Sequence, residues 1–113
     1  MYEVDKNNNI TATRGDAQKY SLDLKDPEGN VWQPEEGDTV RFAISTGYTN
    51  ESNYELHYSQ DIPTTGSLEF TVPGSATKGL MKSEYNYDIE VTYADGEPDT
   101  VISGKMYLTG DVK

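Results

Sequence analysis

Cysteine is absent from the 113 residues of the chain. Without a thiol the protein has no disulfide scaffold, no thiolate zinc site and no thiol nucleophile, and it fits folding in a bacterial cytoplasm. Long apolar runs are also missing, and we therefore expect no membrane span. Residues 1–6 lack the basic-then-apolar pattern of a signal peptide, which predicts a chain without a secretion signal.

Basic residues are scarce: nine Lys and Arg stand against twenty Asp and Glu, for a formal net charge of -11. Proteins that bind nucleic acid need a cationic face to displace counterions from phosphate, and no Lys/Arg cluster supplies one. The same negative charge repels anionic membrane surfaces. We interpret the acidity as a solubility feature and expect neither a nucleic-acid nor a membrane partner.

Apolar residues are few, at 34% of the chain, and nine tyrosines make up much of the deficit. Each tyrosine offers a large apolar ring with a polar tip that suits the edge of a core. A chain of this length is large enough for one core without disulfides or metals. We therefore predict a single domain over residues 1–113 rather than a disordered chain.

Apolar and polar residues alternate along most of the chain. Side chains of a strand point to opposite faces in turn, so this period of two predicts sheets with one buried and one solvated face. Buried parallel sheets would show solid apolar runs instead, and we expect antiparallel sheets. The alternating segments are residues 20–25, 40–45, 54–58, 68–72, 85–93 and 102–108, with a further short strand at 10–13.

Turn residues separate these segments, at 26–30, 35–38 and 95–99. Proline presets φ, glycine accepts positive φ, and Asp or Asn bonds to the local backbone. The turn at 95–99 joins two strong strands and predicts a hairpin loop. Residues 75–82 do not alternate and include Ser75 as a candidate helix cap, which predicts a helical turn.

The segment Tyr85-Asn86-Tyr87 carries the strongest fold signal. In immunoglobulin-type sandwiches a helical turn precedes a tyrosine that lies two residues before the inward residue of strand F, and its hydroxyl bonds to backbone upstream. Tyr85 would be that structural corner tyrosine, and Tyr87 the inward residue; the alternative is two ordinary strand tyrosines. We predict an all-β, immunoglobulin-like antiparallel β-sandwich of about seven strands, with one short helical turn before strand F.

Catalytic chemistry has little support. His57 is the only histidine, and Glu55 and Ser59 would lie with it on the solvated face of a strand, so no nucleophile and base come together. No pair of acidic residues stands out for glycoside hydrolysis. We expect a non-enzymatic protein with no catalytic residue and no cofactor.

Two further motifs receive structural interpretations. The acidic turns 35–38 and 95–99 offer the hard oxygen ligands that calcium prefers, but neither has the spacing of an EF-hand loop, and we assign no metal ligand. The tripeptide Arg14-Gly15-Asp16, which integrins read in matrix proteins, falls where a turn is needed between two strands. We interpret it as that turn.

Aromatic residues outside the strongest strands form a candidate interaction surface. They could line a sugar-binding platform or an intersubunit contact, or they could cap the ends of the core, and the sequence leaves these alternatives open. The candidates are Trp32, Tyr48, Tyr54, Tyr58 and Tyr107.

A series of short motifs runs along nearly the whole chain: Arg14-Gly15-Asp16, residues 20–26, the Glu28-Gly29 turn, residues 37–44, Leu80, residues 85–89, Asp95-Gly96, residues 100–105 and 110–112. Their order resembles the N-terminal immunoglobulin-like domain of phage baseplate upper proteins and related tail modules of phages of Gram-positive bacteria. Two departures stand out. The family commonly has a glycine before the corner tyrosine, where this chain has Glu84, and its members continue into a fibre or receptor-binding part.

The resemblance implies a phage or prophage structural module, made in the bacterial cytoplasm and assembled into the virion. Its expected partners are other phage structural proteins and copies of itself, which repetition in a tail would hold through many weak contacts. The alternative function is a carbohydrate-binding or cell-surface adhesion domain, because the same fold serves both roles.

Overall fold

The computed structural model describes the backbone of residues 2–4 together with residues 7–25, 28–47, 54–64 and 68–110. Predictions for residues 26–27, Tyr48 and 111–112 lie outside these ranges. The predicted all-β sandwich is confirmed. The elements are β1 (Tyr2–Val4), β2 (Ile10–Thr13), β3 (Gln18–Leu22), β4 (Thr39–Thr46), β5 (Glu55–Ile62), β6 (Leu68–Val72), α1 (Ser75–Lys78), β7 (Glu84–Thr92) and β8 (Pro98–Thr109).

The strands form two sheets of unequal width. The larger sheet has the order β1-β2-β8-β7-β4-β5, and the smaller consists of β3 and β6. Rings from β3 and β6 meet Phe42 of β4: the Phe42 centroid lies 6.4 Å from that of Tyr20 and 5.4 Å from that of Phe70. The core therefore lies between the sheets. Among the described residues no helix is long and apolar enough to cross a membrane.

The predicted alternation is confirmed most clearly in β7, where four inward residues are at most 5% exposed and their neighbours are partly solvated. These residues are Tyr85, Tyr87, Ile89 and Val91. Burying each apolar side chain of this size contributes roughly 1.5–3 kcal/mol. The apolar positions of the alternating segments therefore lie on one face of each strand, in a shared core.

One pair of strands corrects the expectation of purely antiparallel sheets. β2 and β8 run parallel, with Ile10 opposite Met106 and Thr13 opposite Thr109. A parallel pair needs a long connection between its strands, and here nearly the whole chain supplies it. The alternating pattern could not reveal this, because a strand with one wet face alternates whatever the direction of its neighbour.

The strand β5 corrects a second expectation, that His57 faces solvent beside Glu55 and Ser59. The β4–β5 register shifts after Ile44, which pairs with Tyr58, so that Ser45 pairs with Leu56 and His57 is the additional residue. A bulge of this kind reverses the facing of the residues that follow it. Leu56 consequently lies 45% exposed on the outer face of the large sheet.

The predicted helical turn is present as α1, but Ser75 is not its cap. Gly74 occupies the N-cap position, and no side chain caps the helix. A Cβ on Gly74 would lie 2.2 Å from the carbonyl oxygen of Gly15, so a serine cannot stand there. The Gly15 N–H also donates to Thr77 Oγ1 at 2.9 Å. The close packing of α1 on the β2–β3 turn therefore dictates the glycine.

Candidate interaction surfaces

Tyr85 joins the start of β7 to the chain before it. Its ring is buried, and its hydroxyl accepts a hydrogen bond from the Lys82 backbone N–H at 3.0 Å. The contact is to backbone upstream, as the sequence predicts for a corner tyrosine, with the hydroxyl as acceptor. It ties β7 to the segment that follows α1.

We expect Tyr85→Phe to lower the free energy of unfolding by about 1 kcal/mol, because the Lys82 N–H loses its acceptor while the ring stays buried. Urea unfolding followed by circular dichroism measures the change. The matched control is Tyr107→Phe, which removes a hydroxyl from an exposed ring on β8. Equal stability of the two variants would show that the Tyr85 hydroxyl has no corner role.

Tyr87 lies at the centre of the core, 5% exposed, with its ring centroid 5.9 Å from that of Phe42. Its hydroxyl donates to the Asn8 carbonyl oxygen. Asn8 has a φ of 65°, a left-handed conformation that asparagine tolerates. Opposite Tyr87, a Cβ on Gly104 would lie 2.4 Å from the same carbonyl oxygen. This pair of residues brings the chain before β2 against β8.

The Arg14-Gly15-Asp16 tripeptide forms the turn between β2 and β3, as predicted, with Gly15 at a φ of 87°. The Arg14 guanidinium has a structural role. It donates to three backbone carbonyl oxygens, those of Leu80 at 2.7 Å, Lys82 at 2.8 Å and Gly110 at 2.6 Å. One side chain thus connects the turn, the segment after α1 and the end of β8.

The four described members of the candidate aromatic surface do not form one platform. Trp32 packs against the core edge with its ring 6.5 Å from that of Tyr93. Tyr58 faces inward from β5, where burial raises the pKa of its hydroxyl and its ring meets Phe42. Tyr107 is 37% exposed on the outer face of β8. Tyr54 is half-buried just before β5, and so the four described rings lie in separate places.

The smaller sheet leaves part of the larger one uncovered, and a groove of about 610 Å³ opens there, hereafter the β8 groove. One wall is the chain that follows β3, and the other is the first half of β8. Apolar side chains form its floor, and Asp23, Lys25 and Asp99 stand among the lining residues. The full lining is Asn8, Asp23, Leu24, Lys25, Trp32, Val91, Tyr93, Asp99, Val101 and Ile102.

The strand edge beside this groove is open. β2 pairs with β8 only from Met106 onward, and Asn9 accepts a hydrogen bond from the Lys105 N–H through its Oδ1 at 3.0 Å. On this side, residues 98–103 have no partner strand among the described residues. Val101, the additional residue of a bulge in β8, is 37% exposed there. An apolar floor therefore lies next to a backbone edge that no described strand pairs with.

A second groove, of about 540 Å³, lies on the outer face of the large sheet, hereafter the outer-face groove. Asn86 and Asp88 of β7 line it, and an Oδ1 atom of each is buried without a hydrogen-bond partner in the described structure. Burial raises the pKa of Asp88, Arg41 lowers it and Glu90 adds to the increase. The lining is Asn9, Ser45, Gly47, Asn86, Tyr87, Asp88, Thr100, Ser103, Gly104 and Lys105.

The raised pKa of Asp88 predicts a pH-dependent substitution effect. Because the folded state holds the Asp88 proton more tightly than the unfolded chain, its charged form costs stability above the folded pKa, and the cost disappears as the pH falls below the pKa of the unfolded chain. We expect Asp88→Asn to stabilise the protein at neutral pH and to lose this advantage in acid. Urea unfolding across pH measures it.

The control for this prediction is Asp61→Asn, which removes the same charge from an exposed carboxylate on β5, the strand that lies on the far side of β4 from β7. If both variants stabilise the protein equally at every pH, relief of overall repulsion explains the gain and the burial of Asp88 does not.

The two acidic turns considered for calcium lie side by side. Asp38 accepts the Glu35 N–H at 2.9 Å through Oδ2 and the Ala94 N–H at 3.0 Å through Oδ1. Asp95 Oδ1 accepts the Glu97 N–H at 3.0 Å. These carboxylates serve the turns as hydrogen-bond acceptors. Within the described ranges, no group of three or more His, Asp or Glu side chains is arranged to hold a metal ion.

His57 has a structural environment. Its Nε2 lies 2.6 Å from the Thr46 hydroxyl, and its ring meets that of Tyr85 edge-on with centroids 5.3 Å apart. The bulge in β5 brings it to this position, at one end of the core. His57 therefore packs at one end of the core, through a polar contact with Thr46 and an aromatic contact with Tyr85.

Comparison with known proteins adds no relative: no family model, curated protein or solved structure matches the chain.

Sequence reasoning missed both grooves. Asp99 was predicted to lie in the turn 95–99 and Ile102 to begin the last alternating segment, while Asn86 and Asp88 were predicted to lie on the polar side of the segment 85–93. The sequence contains one usable signal, the apolar Val101 beside the inward Ile102, because two adjacent apolar residues interrupt a strict alternation.

Proposed function

We propose that the chain is a non-enzymatic structural module of a phage or prophage tail, an assembly or adaptor domain of the baseplate or tail that docks on other virion proteins or on copies of itself. The observation that carries this proposal is the β8 groove with its open strand edge. Unpaired backbone beside an apolar floor suits a protein partner, because the partner satisfies the backbone groups while it buries the apolar surface.

The order of motifs in the sequence supports the setting of the proposal, and the charge supports the type of partner. A net charge of -11 disfavours nucleic acid and anionic membranes and leaves protein surfaces as the contacts to consider. In a symmetric tail, many copies act together, so each individual contact needs little affinity. The protein would be made in the bacterial cytoplasm and carried in the virion.

Quantitative mass spectrometry of purified particles tests the proposal. Phage particles are induced from a strain that carries the gene, and particles from a strain with the gene deleted serve as the control. We expect the chain at a constant ratio to the major tail protein, and that ratio gives its symmetry. Intact, infectious particles that lack the chain would refute the proposal.

The outer-face groove favours a second candidate function, carbohydrate binding. Asn86, Asp88, Ser103 and Lys105 present amide, carboxylate, hydroxyl and ammonium groups of the kind that bind sugar hydroxyls. Tyr107 lies on the same face, next along β8 from Lys105 on that side, and opposite Glu84. Its exposed ring could stack on a sugar ring.

Binding of the isolated protein to arrayed bacterial surface glycans tests this second candidate. Loss of a bound glycan in Tyr107→Ala, with binding retained in Leu56→Ala, would support it, since Leu56 is an exposed apolar residue on the same face of the sheet. Failure to retain any glycan, or equal binding by the two variants, would argue against a site at Tyr107.

A further inference from the structure

We infer that the β8 groove accepts an extended peptide segment with alternating apolar and cationic side chains, which adds as a strand to the open edge of β8. The inference rests on the proposed function in one respect, that the partner is a protein. It goes further in naming the mode of contact and the chemistry of the partner.

The backbone supplies the first part of the case. Along β8, the parallel pairing with β2 begins only at Met106, and Asn8, two residues before β2, has a left-handed φ. The edge from Thr100 to Ser103 is therefore continuous with an established pairing but has no strand of its own in the described structure. An added strand would extend the line that β2 begins.

The groove floor supplies the second part. Trp32, Tyr93 and Ile102 are half-buried, and Val101 is 37% exposed between solvent and the groove. Alternate side chains of an extended segment point to one side, at a spacing that suits such a floor. Apolar residues at alternate positions of the partner would therefore cover these side chains and remove their apolar surface from water.

The negative charge of the groove and of the chain favours cationic residues at the partner positions that alternate with the apolar ones. Asp23 and Asp99 line the groove, and the only cation among the lining residues, Lys25, lies 3.5 Å from an Asp23 oxygen. The whole chain carries a net charge of -11. A cationic segment is attracted both locally and at long range, whereas a second copy of this acidic chain is repelled.

The test uses the intact chain and a short synthetic peptide of alternating valine and lysine. Trp32 lines the groove and is the only tryptophan in the sequence, so its fluorescence reports on occupancy. We expect saturable binding that changes the Trp32 emission and slows amide hydrogen exchange at residues 100–103. A peptide of alternating valine and glutamate should bind at least about tenfold more weakly.

Two variants of equal charge locate the site. Val101→Lys places a cation in the groove and should weaken binding of the valine–lysine peptide by at least about tenfold. Leu56→Lys places the same charge at an exposed apolar residue on the outer face and should change binding less than about twofold. Equal effects of the two variants would reveal general charge attraction and overturn the inference.

Other outcomes also decide the question. Absence of binding, equal binding of both peptides, or unchanged exchange at residues 100–103 would each overturn the inference. If Trp32 emission changes with protein concentration in the absence of peptide, and sedimentation shows dimers, the occupant of the β8 groove is a second copy of the chain and the inference of a cationic peptide is overturned. Particle composition is independent of these measurements. If the chain is absent from particles but still binds the peptide, only the virion proposal is refuted. If the chain is a virion component but does not bind the peptide, only the inference of peptide binding in the β8 groove is refuted.

Discussion

Phe42→Ala should lower the free energy of unfolding by about 4 kcal/mol, the largest effect that we expect from a single side chain. Phe42 is 1% exposed and its ring neighbours come from both sheets. Truncation leaves a cavity that the two stiff sheets cannot collapse to fill. The rings around it belong to Tyr20, Tyr58, Phe70 and Tyr87, with centroids 5.4–6.5 Å away.

Urea unfolding monitored by Trp32 fluorescence and by circular dichroism measures this effect. The matched control is Leu56→Ala, which truncates an exposed apolar residue on the adjacent strand β5 and should change stability by less than about 0.5 kcal/mol. A loss below about 1.5 kcal/mol for Phe42→Ala would mean that the core repacks around the missing ring, contrary to the tight packing inferred here.

Arg14→Ala should cost about 3 kcal/mol, because one substitution removes three hydrogen bonds from a charged donor to backbone carbonyls. Such bonds contribute more than neutral ones, and the bond to Leu80 is partly shielded from water. Arg14→Lys should recover less than half of the loss, since a single ammonium cannot match the planar fork of the guanidinium. Urea unfolding again provides the measurement.

Arg41→Ala is the control for Arg14, because these are the only two arginines in the chain. Arg41 forms a partly exposed ion pair with Glu90 at 3.7 Å, with the side chains 35% and 25% exposed, and its removal should cost about 1 kcal/mol or less. If the two alanine variants are equally stable, water replaces the guanidinium bonds of Arg14 without loss, and the turn does not depend on them.

Local pattern was enough to predict most of the fold. The alternation in residues 85–93 and 40–45 identifies the central strands, because the apolar face of an alternating strand is buried in the core. The hairpin at 95–99 follows from local turn chemistry, and the helical turn predicted within residues 75–82, observed as α1, follows from a break in the alternation. These features depend on residues that are adjacent in sequence, and they can therefore be predicted from the sequence alone.

Features that depend on distant residues could not be predicted in this way. The bulge that turns His57 inward is a matter of register between β4 and β5, and one residue of shift reverses every following side chain. The Arg14 contacts span up to 96 residues, since Gly110 lies at the end of β8. No local pattern carries that information.

The candidate site was predictable only in part for the same reason. Trp32 was among the predicted interaction residues and does line the β8 groove, although its aromatic neighbour is Tyr93 rather than another member of the predicted set. The groove exists because the small sheet has two strands and covers the large one incompletely. The width of a sheet is a tertiary property, and the adjacent apolar residues Val101 and Ile102 are the only local trace of it in residues 98–103.

The parallel pairing of β2 with β8 has a mechanical consequence. The chain enters β2 at Ile10 and leaves β8 at Thr109, at opposite ends of their shared ladder. Tension applied along the chain would first peel the short strand β1 and then pull the two strands past each other lengthwise. The rungs of the ladder would bear the load together rather than open one after another as in an unzipped hairpin. A force that pulls the entry of β2 away from the exit of β8 would therefore load the β2–β8 pair in shear.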